Sequence, residues 1–320
     1  MSDLSTSLPK IAISACLMGA EVRYNGGHKE SRLCSRTLAE HFEFVPVCPE
    51  VAIGLGIPRE PIRLVGDPNK PEAVGTVNPS INVTDPLAAY GEKMAAELND
   101  ICGYIFMQQS PSCGLERVKV YHANGAPVNG GGRGIYAEAF CARHPDLPVE
   151  EAGRLNDPVL RENFITRVLA YSEWQQVLKH GLSRRVLTEF HSRYKYLLMA
   201  HNPVQYKALG NLLGNMGQTD PVELGPRYFS ELMAALKKCA TRRTHSNVLQ
   251  HISGYLKQVI TPEDKQEVQH IIGQYRHGIV PLVVPLTLLK HHFRLHPDPY
   301  IAQQVYLQPH PENLSLRNAI

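Results

Sequence analysis

No stretch of this chain approaches the eighteen or so consecutive apolar residues that a membrane span requires. The first nine residues have neither a basic start nor an apolar run of the kind that directs secretion. A cytoplasmic protein without a membrane partner is the expectation. The seven cysteines stand at positions 16, 34, 48, 102, 113, 141 and 239, and no two form a CxxC pair. The usual spacing of a structural zinc site is therefore missing. An odd, irregularly spaced set in a long chain without a leader is not a disulfide framework either. There is no evident internal repeat or low-complexity tract.

What is present is material for two ordinary domains: 320 residues, 43% of them hydrophobic. The overall net charge of +3 hides an opposition between the halves. Residues 1–150 carry 13 Lys and Arg against 17 Asp and Glu, a net −4; residues 151–320 carry 20 against 13, a net +7. Histidine is skewed the same way, 4 against 11. Only the second half has the charge to favour an anionic partner.

The first half reads as alternating strands and helices. Apolar runs at Lys10–Ala15, Phe44–Val47 and Ile105–Met107 have strand character, and a further strand is expected at Arg117–Tyr121. Helices are expected from Glu30 to His41, from Asp85-Pro86 to Asp100, and from Ile135 to Arg143. The Pro- and Gly-rich passage from Gly54 to Pro79 reads as a long functional loop. Near Pro148–Gly153 the composition changes, and from Asp157 onward only helical periodicity follows, as in Val159–Lys179 and Arg184–Ala200. The expected fold is a Rossmann-like α/β domain with a parallel sheet over residues 1–152, followed by an all-helical domain over residues 153–320.

Three of the apolar runs end in a cysteine: Ser14-Ala15-Cys16, Val47-Cys48-Pro49 and Ser110-Pro111-Ser112-Cys113-Gly114. In an open parallel sheet, residues just past the carboxyl ends of strands converge on one crevice. Three thiolates there suggest a metal centre with an open coordination position, as in an iron–sulfur cluster with one exposed iron. The alternative is that these cysteines are small buried hydrophobes. Cys34, Cys102, Cys141 and Cys239, beside apolar neighbours or within helical stretches, read as packing residues.

Those motifs, with Arg23-Tyr24-Asn25-Gly26-Gly27-His28-Lys29, Val47-Cys48-Pro49-Glu50 and Gly54-Leu55-Gly56-Ile57-Pro58-Arg59, make the first half resemble the thiouracil desulfidase (TudS) family. The whole chain resembles its two-domain, YbgA-like relatives. The resemblance implies a [4Fe-4S] cluster held by Cys16, Cys48 and Cys113, whose fourth iron binds the sulfur of a thiolated pyrimidine such as 2-thiouracil. Uracil and sulfide are then the products. By the same similarity Glu50 is the base that activates water and Ser110 assists at the reacting ring. Ser14, Arg23, Lys29, Arg59 and Ser112, all within these motifs, are the expected substrate contacts; His28 and Arg63 are further cations on the same loops. Gln108-Gln109 departs from the basic or small residue expected before Ser110, which bears on substrate choice.

A second class of function stays open at this point: a nucleic-acid-binding protein whose cluster or thiols are structural or redox-sensing. The basic helical half, with aromatic residues beside cations as in Arg193-Tyr194-Lys195-Tyr196, would then contact RNA phosphates. The sequence is compatible with a monomer or an oligomer.

Overall fold

Lys10–Ser14 forms β1, an interior strand of a four-stranded sheet in the computed structural model, which describes residues 8–122, 124–217 and 219–320. Residues 1–7 of the stretch read for a leader lie outside the described residues. The sheet order is β2-β1-β5-β7, with β2 at Glu43–Val47, β5 at Ile101–Phe106 and β7 at Val149–Glu151. Every neighbouring pair is parallel. All six β5 residues are buried, as expected for a strand with both faces covered. β2 carries Pro46, which cannot donate to a ladder, and lies at an edge.

The register decides where the thiols go. Ser14 is level with Val47, so Cys16 and Cys48 emerge side by side; Ile13 is level with Ile105, which brings the loop after Phe106 to the same end.

Helix α1 (Pro49–Ala52) follows Cys48. Helices α2 (Thr84–Glu97) and α3 (Ile135–Arg143) pack on each other. A Cβ at Gly91 of α2 would lie 2.8 Å from both Ala139 Cβ and the Tyr136 carbonyl oxygen, so the approach requires glycine.

Several elements differ from the sequence reading. The Gly54–Pro79 passage contains a hairpin, β3 (Ile62–Asp67) and β4 (Lys70–Gly75), which joins β6 (Val120–Tyr121) in a second sheet. Gly66, Pro71 and Gly75 interrupt its alternation, and Asp67 closes the turn by accepting from Asn69 N at 2.9 Å. The strand expected at Arg117–Tyr121 is shortened to Val120–Tyr121: Arg117 has φ of 56°, outside the strand region, and Val118 pairs instead with Gly132 in an isolated bridge. The helix expected over Glu30–His41 is reduced to a wide π-helical turn at Leu33–Thr37 and a tight 3-10 turn at Leu38–Glu40, which bury only Cys34 and Leu38. β7, formed where the composition changes, completes the sheet although it is short and acidic; the Glu151 carboxylate accepts from Leu115 N at 2.9 Å.

The chain divides into two compact units, Met1–Asn156 and Asp157–Ile320, so the break falls just past a tight turn at Arg154–Asn156. The second unit is helical throughout its regular structure: α4 (Pro158–His180), α5 (Arg184–His201), α6 (Pro203–Gly214), α7 (Pro221–Lys237), α8 (Arg242–Ser253), α9 (Pro262–Arg276), α10 (Val283–Leu295) and α11 (Pro299–Ala302). Five of these begin at a polar residue followed by proline: Asp157-Pro158, Asn202-Pro203, Asp220-Pro221, Thr261-Pro262 and Asp298-Pro299. In each, the side-chain oxygen accepts a free backbone N–H of the first turn, and proline occupies a position where no donor is needed. Aromatic stacking such as Trp174 on Phe229, centroids 4.8 Å apart, fills the core. No helix among the described residues is long and apolar enough to cross a membrane.

Candidate functional site

At the carboxyl ends of β2, β1 and β5 lies a cavity of about 410 Å³ whose walls include Cys16, Cys48 and Cys113. Cys16 sits in a tight turn directly after β1, Cys48 caps α1, and Cys113 lies in the loop after β5. All three are free thiols, and Cys16 and Cys113 are buried. Burial pushes the Cys16 thiol up to about 11, and the charge of Cys48 adds to it. Burial likewise raises Cys48. It raises Cys113 as well, with Glu50 adding and the hydroxyls of Ser112 and Ser14 opposing.

The Cys113 loop is clamped from behind by the start of α3. Gly134 N donates to Gly114 O at 2.8 Å, Ile135 N to Pro111 O at 3.0 Å and Ala137 N to Ser112 O at 3.1 Å. The unpaired donors of a helix N-terminus thus satisfy the loop carbonyls. A Cβ at Gly134 would lie 2.5 Å from both the carbonyl carbon and oxygen of Ser112.

Glu50, two residues past Cys48, also lines the cavity. Arg59 Nε and one terminal nitrogen donate to its Oε2 at 2.9 and 2.7 Å, and Ser112 Oγ donates to its Oε1 at 2.6 Å. The Arg59 side chain is 5% exposed, that of Glu50 15%, so water screens the pair little. Arg59 also donates to the carbonyls of Gly56 and Val22, which ties its loop to the Arg23 loop. Ser110 Oγ accepts from the N–H groups of Cys113 and Ser112, at 3.1 and 3.3 Å, and lies 2.9 Å from Ser112 Oγ. Because the one Ser112 hydroxyl proton goes to Glu50, Ser110 is the donor in that pair. A directed chain runs Ser110 to Ser112 to Glu50.

Ser14, Arg23 and Lys29 complete the polar wall. Ser14 Oγ accepts from Met107 N at 2.9 Å, and Lys29 N donates to Cys16 O at 2.9 Å. All ten residues singled out by the motifs therefore border one cavity. The other two loop cations are absent from its lining: His28 Nδ1 accepts from Glu30 N, and the Arg63 guanidinium lies 5.8 Å from the Tyr121 ring centroid. Gln108 and Gln109, whose departure from the motif bears on substrate choice, line the cavity, and Val22, Tyr24, Ile62 and Met107 line it without having been expected. Tyr24 was legible as the neighbour of Arg23. Ile62 was not, since it reaches the site on β3. Gln108 turns partly outward, its Oε1 accepting from Gly153 N at 3.3 Å.

Among the described residues no group of three or more His, Cys, Asp or Glu is arranged to hold a single metal ion. The three thiols line the same cavity.

A family model described as 2-thiouracil desulfurase matches residues 11–152, and one described as a protein of unknown function (DUF1722) matches residues 195–311. The uncharacterized protein YbgA of Escherichia coli (strain K12) is 31% identical over 159 residues, 49% of this chain and 94% of that protein. The chain is a two-domain, YbgA-like relative of the 2-thiouracil desulfurase family. The uncharacterized protein YbbK of Bacillus subtilis (strain 168) is 31% identical over 128 residues, 38% of this chain and 84% of that protein. A solved structure of a [4Fe-4S]-dependent thiouracil desulfidase, TudS, is 29% identical with a TM-score of 0.35, covering 47% of this chain and 94% of that chain. Within this YbgA-like protein the 2-thiouracil desulfurase match covers every cavity residue named above.

Proposed function

We propose that the α/β unit is a [4Fe-4S]-dependent desulfidase acting on a thiolated pyrimidine such as 2-thiouracil, with Cys16, Cys48 and Cys113 as the cluster ligands. One observation carries the reading: three thiols from three adjacent parallel strands and one anchored carboxylate border a single cavity. Thiolates are the ligands that an iron–sulfur cluster takes. When bound, the cluster would supply a Lewis-acidic iron that draws electron density from the C–S bond of the substrate.

The chain's own residues supply the rest. Glu50 takes a proton from the water whose oxygen replaces sulfur on the ring, leaving uracil and sulfide. Arg59 and Ser112, expected from the motifs to hold substrate, have their polar groups committed to Glu50, so they position the base instead. Ser110 heads the hydroxyl chain and borders the cavity, where it would assist at the ring. Ser14, Arg23 and Lys29 remain as substrate contacts, the two cations offsetting the negative charge of thiolates and cluster sulfides.

Anaerobic reconstitution with iron and sulfide tests the ligand set. Cys16→Ala, Cys48→Ala and Cys113→Ala should each lose most of the bound iron, while Cys34→Ala and Cys141→Ala should keep it. Equal iron in all five variants, or zinc as the metal retained, overturns the proposal.

A further inference from the structure

Gln109 lines the cavity that holds the three thiols, and its backbone has φ of 58°, in the left-handed region that a residue with a Cβ enters at a steric cost. The chain turns here between the end of β5 and Ser110, and the loop is close-packed: a Cβ at Gly114 would lie 3.2 Å from Gln109 N and 3.0 Å from Ser110 O. Glycine at position 109 would follow the same path without strain, so a side chain kept there points to a use beyond the turn. That side chain is exposed and makes no hydrogen bond among the described residues.

A neutral thiolated pyrimidine such as 2-thiouracil carries, next to its C–S carbon, a ring N3–H and beside that a carbonyl, so one edge offers a donor and an acceptor on neighbouring atoms. Arg23 and Lys29 can only donate. The oxygens of Glu50, Ser14, Ser110 and Ser112 already accept from the protein. Gln108 has given its Oε1 to Gly153 N, and Tyr24 has its donor and acceptor on a single atom. Among the described side chains of the cavity, Gln109 is therefore the one that presents a free carbonyl oxygen and a free amide N–H side by side.

We propose that Gln109 determines specificity in this cavity: its amide oxygen accepts from the ring N3–H and its amide nitrogen donates to the adjacent carbonyl, so the site selects pyrimidines with an unsubstituted N3. The inference rests on the desulfidase reading and adds to it the edge of the ring that is recognised. A basic residue at this place, as the motif leads one to expect, could serve the carbonyl but not the N–H. N1, which flanks the C–S carbon of 2-thiouracil on the other side and bears the sugar in a nucleoside, takes no part, so substitution there is tolerated.

Sulfide release by the iron-loaded full-length protein from 2-thiouracil, 1-methyl-2-thiouracil and 3-methyl-2-thiouracil tests the assignment. The parent should lose about 10-fold or more in kcat/KM on 3-methylation and less than about 3-fold on 1-methylation, the difference being one broken hydrogen bond and a partner left unpaired. Gln109→Leu should lower kcat/KM for 2-thiouracil about 10-fold, through KM with kcat kept, and should treat the two methyl isomers alike. Gln109→Gly should show the same kinetic loss and melt no lower than the parent, because glycine adopts this φ freely. The inference fails if the parent does not distinguish the methyl isomers, if Gln109→Leu distinguishes them as the parent does, or if the loss falls on kcat alone. It fails as well if Gln109→Gly melts several degrees lower, which would give the side chain a structural use. No sulfide from any of the three compounds would overturn the desulfidase reading and this inference with it, whereas the other failures leave that reading standing.

Discussion

The wholly buried hydroxyl of Ser112 donates to Oε1 of Glu50 at 2.6 Å across 62 residues of sequence. That bond joins the Cys113 loop to the residue after the proline that follows Cys48, so the two cysteine loops are held as one piece. The separation of binding from chemistry at this junction can be measured.

Glu50→Gln keeps the size of the side chain and removes its capacity to take a proton. Sulfide release from 2-thiouracil should fall about 100-fold or more with the iron content unchanged. Near-normal turnover in the iron-loaded variant would falsify the assignment of Glu50 as base.

Arg59→Lys retains one positive charge and loses the two-pronged grip on Oε2 together with the tie to the Val22 carbonyl. A carboxylate free to shift by about an ångström costs on the order of 100-fold in turnover. The fall should appear mainly in kcat. A variant that instead raises KM with kcat preserved would show that Arg59 holds substrate.

Gly134→Ala places a methyl group against the backbone of Ser112 and Cys113, at 2.5 Å or slightly more from three main-chain atoms. The loop must shift, at an overpacking cost of about 1–3 kcal/mol. The variant should have a lower melting temperature and bind less iron, although the change lies outside the cavity lining. Unchanged iron binding would mean that the α3 clamp does not set the position of Cys113.

Acid should destabilise the helical unit. Burial lowers His245 to about 3 and His191 to about 4, so between the unfolded value near 6.5 and those values the unfolded chain binds protons that the folded chain refuses. Stability therefore falls as pH falls through this window. Glu162, buried but held below its ordinary value by His310 and the charge of Arg317, adds a further loss once the unfolded carboxyl begins to protonate below about 4.5. Helical circular dichroism during thermal melts at pH 7, 5.5 and 4 should show a progressive drop in the transition. His245→Gln, which has no ring to protonate, should flatten the profile above pH 4.5. A melting temperature independent of pH over this range would contradict the buried neutral state of both histidines.

Much of the site was legible because its signals are local. A strand that ends in a cysteine turn can be read within about ten residues, and so can the polar residue before proline that starts a helix in the second half. The division into an α/β half and a helical half follows from a change in hydrophobic period, which is also local. The hairpin of β3 and β4 was hidden because Gly66, Pro71 and Gly75 break its alternation, and those residues are tolerated only through pairing with a partner strand. β7 was hidden because it has three residues and two are glutamates, whose burial is offset by bonds to Leu115 N and Arg154.

The sequence by itself determined which residues have the chemistry: three strand-end thiols, the carboxylate beside one of them, and the cations of the adjoining loops. Only the tertiary structure decided which of them meet. Strand order placed β2, β1 and β5 side by side, and so put residues 16, 48 and 113 around one cavity. Hydrogen-bond geometry assigned Arg59 and Ser112 to the carboxylate of Glu50. The thiols and the Ser112–Glu50 bond join residues far apart in the chain, and the strength of every such contact depends on burial and orientation that no local pattern encodes.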